Sequence, residues 1–177
     1  MLAIDESKLY SLIEIFKEGF KENFLEEKYK WEAVKHFQDN WNIDAEDFPT
    51  MLSNALSKTG NLLAALNFFP RRMIKQYATR FTKEVKGLFE ELFNESSDLK
   101  ERIDAFIAGI EYIHKQWDGN GTLNHYQTFN AVSTYLWLRY PDKYYIYKPS
   151  VAKLMFEKLG VDMKLTPLRA NAVIKTY

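Results

Sequence analysis

Apolar residues recur three and four positions apart along most of this chain, the spacing that gathers side chains on one face of an α-helix. Leu9, Leu12, Ile13, Phe16 and Phe20 form one such stripe, with Lys and Glu on the opposite face. Residues 26–41 repeat the pattern through Val34, Phe37 and Trp41 and predict a second helix. A third is predicted from Asp44 to Lys58, with Asp44 as N-cap and Gly60 as terminator. Pro49 is tolerated only at the start of a helix, which moves that boundary toward Asp47 or Phe48. Pro70 suits the first position of a helix over 70–81. Val85, Leu88, Phe89, Leu92 and Phe93 give 82–93 one continuous apolar face. The clearest pattern covers 96–117, where Ser97 is the expected cap and Leu99, Ile103, Phe106, Ile107, Ile110, Ile113 and Trp117 form the stripe.

The run DGNGTLNHYQ (118–127) interrupts this periodicity, because two glycines and two asparagines hold a helix poorly. The 118–124 loop is therefore the place to divide a helical bundle, 1–117, from a smaller C-terminal part, 125–177, if the single module divides at all. A buried helix follows over about 127–139 and stops before Pro141. KYYIYK, 143–148, is β-prone, bounded by two prolines, and predicts a short strand. Ser150 is the expected cap of a last helix through Leu159, closed by Gly160. The expected fold is mainly α, a helical bundle with a small β element near 143–148. The final NAVIKTY has no helix-stop signal, which reads as a cut inside an element and as a fragment of a longer protein.

Composition narrows the classes. Over 177 residues, 46% apolar and 16% aromatic content supplies a core, and seven glycines and five prolines are few for a turn-rich β-sandwich. Cysteine is absent, which removes disulfides and thiolate metal sites and suits the cytoplasm. The first ten residues lack a signal-peptide pattern, and no apolar run is long enough to span a membrane. The zero net charge is an average. Residues 1–50 hold 6 Lys/Arg against 12 Asp/Glu, whereas 51–177 hold 18 against 12. An acidic start and a basic remainder fit a charged partner.

Most catalytic patterns fail on their spacing. Ser57-Lys58-Thr59-Gly60 has the letters of a phosphate loop, but it ends a helix where the loop must open one. Asp118, Asn120 and Thr122 start like a calcium loop, yet Leu123 stands where glycine is needed and Phe129 where the bidentate glutamate is needed. His36, His114 and His125 lie far apart in sequence with no ligand cluster, so no metal is expected. Asp142 with Asp162 and Lys164 spells the PD-(D/E)xK pattern of metal-dependent nucleases. Asp98-Leu99-Lys100 satisfies its second half equally well, which leaves a nuclease as the weakest of three readings.

Two segments have the chemistry of nucleic-acid contact. From Arg71 to Phe81, helical geometry puts Arg71, Arg72 and Lys75 within about 100° of arc, with Met73, Ile74, Tyr77 and Phe81 behind them. Arg80, Lys83 and Lys86 prolong the positive run. Such a front suits phosphates, and equally suits a solvated face paired with acids. The second segment, YLWLRYPDKYYIYK (135–148), mixes six rings with Arg139, Lys143 and Lys148, and Lys153 follows. On a helical wheel most of its rings are core. Trp137 lies beside Asn130, Ser133 and Thr134, and together with Tyr144 and Tyr147 it is the candidate for base stacking.

The phrases YKWEAVKHFQDNWNIDAEDFPTMLSNALSKTGNLL, NFFPRRMI and HYQTFNAVSTYLWLRYPDKYYIYK together resemble the N-terminal region of bacterial McrB-like AAA+ proteins, the GTPase subunits of modification-dependent restriction systems. The resemblance covers about residues 27–160. It implies a DNA-recognising module, a downstream motor using GTP or ATP with magnesium, assembly into a ring, and a separate nuclease subunit. No Walker A sequence occurs here, so neither cofactor nor catalysis is expected of this chain itself. A module that docks the nuclease subunit or assembles the ring is the competing expectation, and the acidic N-terminal helices would serve it.

Overall fold

A computed structural model describes residues 5–117 and 124–161, apart from the side chains of 21–23. Seven α-helices and one 3-10 turn make up the described chain, consistent with the helical class expected. Helix α1 spans Glu6–Asn40, opened by the Asp5 carboxylate, which accepts from Lys8 N at 3.2 Å. The two helices expected over residues 9–41 are one. No proline separates them, and Gly19 alone is too weak a breaker.

Helix α2 is Phe48–Ala55, capped by Asp47 through Thr50 N, with Pro49 in its first turn. It starts where the proline argument moves it and ends before Gly60, which instead opens the 3-10 turn Gly60–Leu62 with φ +45°. Pro70 starts α3, Pro70–Arg80, and Phe81 separates it from α4, Thr82–Leu92. Helix α5 is Leu99–Gln116. Its cap is Asp98, which accepts from Lys100 N and Glu101 N, and not the expected Ser97. A carboxylate at that position carries a full charge toward the positive helix end. Helix α6 is Phe129–Arg139. Helix α7, Pro149–Lys158, begins at its proline and is followed by Gly160 at φ +71°.

A single core joins these elements. Trp41, Phe48, Phe89 and Phe93 of α1, α2 and α4 meet edge-on or tilted, and Phe106 and Tyr135 extend the cluster into α5 and α6. Helix α6 runs through the middle, with every residue from Ala131 to Leu138 buried. Its polar members stay internal because Ser133 and Thr134 both donate to Asn130 O. Residues on both sides of 118–124 therefore share one apolar interior.

KYYIYK forms no strand. Tyr144 and Tyr147 are buried while Tyr145 is exposed, a period of three where a strand alternates by two. The segment is pinned by side chains. Tyr147 N donates to Ser133 Oγ at 2.8 Å, and the Tyr144 hydroxyl sits between Arg102 and Glu95, 3.0 Å from each. Among the described residues no helix is long and apolar enough to cross a membrane.

Candidate nucleic-acid interface

The N-terminal half of α3 is held from two sides. Gln127 is fully buried; its Nε2 donates to Pro70 O at 2.9 Å and its Oε1 accepts from the Tyr135 hydroxyl at 2.8 Å. Arg71 N donates to Leu63 O at 3.1 Å. Behind the helix, Met73, Ile74, Tyr77 and Ala78 are buried in the core. The Tyr77 hydroxyl reaches His114 Nδ1 of α5 at 2.7 Å, and burial pushes its ionisation well above the ordinary tyrosine range. The cationic residues between these anchors are thereby turned outward on a backbone that has little freedom to move.

They frame an open cleft of about 510 Å³, lined by Ala64, Phe69, Arg71, Arg72, Lys75, Gln76 and Thr79. Among the described residues no carboxylate lines it. Arg72 and Lys75 are exposed, whereas Arg71 is half-buried and steadied by Nη1 donating to Ser57 O at 3.1 Å. Gln76 Oε1 is buried with no partner among the described residues. Three cations without an acid between them make the cleft an anion-attracting surface. Arg80 and Lys83 continue beyond it, both exposed; Arg80 is already engaged, and Lys86 lies between Asp44 and Glu90.

The second basic group is different in kind. Lys143 binds Glu95 at 2.6 Å and lies over the Tyr140 ring, and Arg139 covers the same ring at 5.1 Å. Lys153 faces Glu157 on its own helix at 3.8 Å. Lys148 lies close enough to Lys30 to join burial in lowering the Lys30 pKa. Arg139 and Lys143 sit at the far end of α6 from the Gln127–Pro70 contact, about 16 Å along its eleven residues. Arg139 and Lys143 therefore stand apart from the cations of α3.

The rings expected to stack on bases are core. Trp137, Tyr144 and Tyr147 are all buried, and Trp137 meets Trp31 of α1 edge-on at 5.5 Å. The wheel put Trp137 on a polar flank because Asn130, Ser133 and Thr134 counted as outward-facing; in a central helix they are not. Tyr145 is the exposed ring of this segment.

Of the nuclease pattern, Asp142 is exposed at the end of α6, while Asp162 and Lys164 lie outside the described residues. Most of the calcium-like run, 118–123, lies outside them too. Among the described residues no group of three His, Cys, Asp or Glu could hold a metal.

Three features escaped the sequence. His114 and His125, eleven positions apart, bring their rings within 5.9 Å, and burial followed by the His114 charge holds His125 below the ordinary imidazole pKa. Arg102, at the edge of the α5 apolar stripe beside Phe106 and Ile113, is buried and donates to Leu92 O at 2.7 Å. Gln127 reads as loop and is the tie between α6 and α3. None of these contacts has a local signal, since the partners are brought together only by the packing of α3, α5 and α6. Comparison with family models, with curated proteins and with solved structures gives no match.

Proposed function

We propose that this chain is a DNA-recognising module whose phosphate-binding surface is the front of α3. The observation that carries the reading is the acid-free cleft of Arg71, Arg72 and Lys75. Phosphate contacts supply sequence-independent affinity through counterion release, and they need fixed cations clear of competing carboxylates. Lys83 lengthens the track. Arg139, Lys143 and Lys153 are assigned no part in it, because they are engaged by Tyr140, Glu95 and Glu157, and Lys148, beside Lys30, is not in the cleft lining. The phrases that resemble McrB-like proteins support a place in a cytoplasmic restriction-type AAA+ assembly. In that setting a downstream motor would use GTP or ATP, and a separate subunit would cut.

The test is a salt titration of duplex binding by fluorescence anisotropy. Arg71, Arg72 and Lys75 are replaced together by alanine, which leaves the apolar back of α3 intact and costs little helix propensity. Affinity should fall similarly for every sequence, and the slope of log affinity against log salt should flatten by about 0.9 for each phosphate no longer neutralised. A folded triple variant with unchanged affinity and slope would remove α3 from the interface.

A further inference from the structure

Between the 3-10 turn and α3 the chain makes a tight reversal. Ala65 N donates to Phe68 O and Phe68 N to Ala65 O, both at 2.9 Å, which leaves Leu66 and Asn67 as the two residues of the tip. Such a tip usually takes Gly, Asn, Asp, Ser or Pro. Here its first position is Leu66, 94% exposed, and among the described residues no large apolar side chain is more exposed. Single apolar residues are ordinary on protein surfaces. Leu66 differs in how firmly it is presented and in what lies beside it. The Phe68 and Phe69 rings that follow the tip meet Tyr126 edge-on at 6.3 and 5.7 Å. Tyr126 is itself held at φ +59°, a conformation rare for an aromatic residue, and its N–H donates to Asn124 Oδ1 at 2.7 Å. Strain of this kind persists only where the surroundings enforce it, and it gathers at functional sites. The stem residues Ala64 and Phe69 also line the cationic cleft with Arg71, Arg72 and Lys75. Two residues of chain, at most about 7 Å, carry the backbone from Ala64 to Leu66.

We infer that Leu66 is a wedge, which enters one base step of a DNA duplex while Arg71, Arg72 and Lys75 hold phosphates near that step. The inference rests on the phosphate-binding reading of α3. Leucine is among the apolar side chains that proteins drive between base pairs from the minor groove, unstacking the step and kinking the duplex. A wedge has to stand clear of its own fold, as Leu66 does. It has to be backed by a backbone that does not yield before the base pairs part, and the paired bonds of the turn and the Phe68–Tyr126–Phe69 brace supply that. It also needs phosphate-binding cations close by to offset the cost of unstacking. Successive steps of a strand rise about 3.4 Å along the axis, so a tip about 7 Å from the cleft wall lies within a few steps of the phosphates held there. Asn67, exposed beside Leu66, is a residue type that hydrogen-bonds base edges in the same groove. The cost of a kink depends on the sequence that is kinked, because TA steps part easily and A-tracts are stiff. The wedge therefore gives a phosphate-binding module a preference for deformable DNA.

Anisotropy with two duplexes of equal length, one centred on a TA step and one on an A-tract, tests the inference. A further TA duplex carries 2-aminopurine in place of the central adenine, a base that brightens when it unstacks. The wild-type chain should bind the TA duplex about fivefold tighter or more and should brighten the probe. Leu66→Ser puts a turn-forming residue at an exposed position, so circular dichroism should be unchanged. This variant should bind both duplexes alike and leave the probe dark. Its salt slope should match the wild type, because no phosphate contact is lost. Leu66→Met keeps an apolar tip and should retain both the preference and the brightening. Equal wild-type affinity for the two duplexes without brightening, or a serine variant that brightens the probe as the wild type does, would overturn the wedge and leave the phosphate reading standing. A wild-type chain that binds neither duplex would overturn both.

Discussion

Arg102 is 3% exposed, and its replacement offers a quantitative test of how α5 holds the chain beyond α6. Its guanidinium donates to Leu92 O at 2.7 Å and to the Tyr144 hydroxyl at 3.0 Å, and lies 5.9 Å from the Tyr144 ring centre. Each hydrogen bond from a charged donor contributes about 1.5–3 kcal/mol. Arg102→Ala removes both, strands the Leu92 carbonyl and opens a cavity, so the expected loss is about 3–5 kcal/mol. Arg102→Met keeps much of the volume and also relieves an existing cost, because Arg102 Nε is buried without a partner. Its loss should be about 1–2 kcal/mol, mainly the orphaned carbonyl. Urea unfolding followed by far-UV circular dichroism measures both, and at 2–4 °C per kcal/mol the alanine variant should melt roughly 10 °C lower. An alanine variant within about 1 kcal/mol of wild type, or a methionine variant as damaged as alanine, would refute the reasoning that the filled volume, and not the charge-bearing contacts, separates the two variants.

Two further predictions concern the same ties. Burial alone would raise the Glu95 carboxyl, but hydrogen bonds from Lys143 and Tyr144 outweigh it and leave the pKa below its usual value. A depressed carboxyl contributes stability that is present above the unfolded value of 4.5 and lost as pH falls through the folded one. Glu95→Gln should therefore flatten the acid limb of a stability-versus-pH curve below that value, and an unchanged limb would count against the contact. Gln127→Leu leaves Pro70 O and the Tyr135 hydroxyl without their partner, at a cost of about 1–3 kcal/mol for a buried unsatisfied group. Since Gln127 anchors the start of α3, DNA affinity should fall with stability although no cation has been touched. Anisotropy at a temperature where the variant is fully folded separates the two effects.

Periodicity alone specified most of the helices, because a stripe such as Leu99, Ile103, Phe106, Ile110 and Ile113 is set by the 3.6-residue repeat of the chain's own backbone. The outward turn of Arg71, Arg72 and Lys75 was legible for the same reason, since Met73, Ile74 and Tyr77 mark the buried side of one helix. Tertiary structure decided where a pattern met a neighbour. The phenylalanine stripe of α1 has the spacing of a core face, yet Phe16, Phe20 and Phe24 stay outside the core and exposed. Trp137 reads as flanking and is buried, because α6 is enclosed on every side and its hydroxyls are satisfied by Asn130 O within the helix. KYYIYK has the composition of a strand, but its Tyr147 N–H is taken by Ser133 Oγ and its Tyr144 hydroxyl is held by Arg102 and Glu95. The propensity of Tyr and Ile for β structure is a preference for a pleated, half-buried surface. Where helices α5 and α6 provide burial and hydrogen bonds directly, that preference has nothing left to decide.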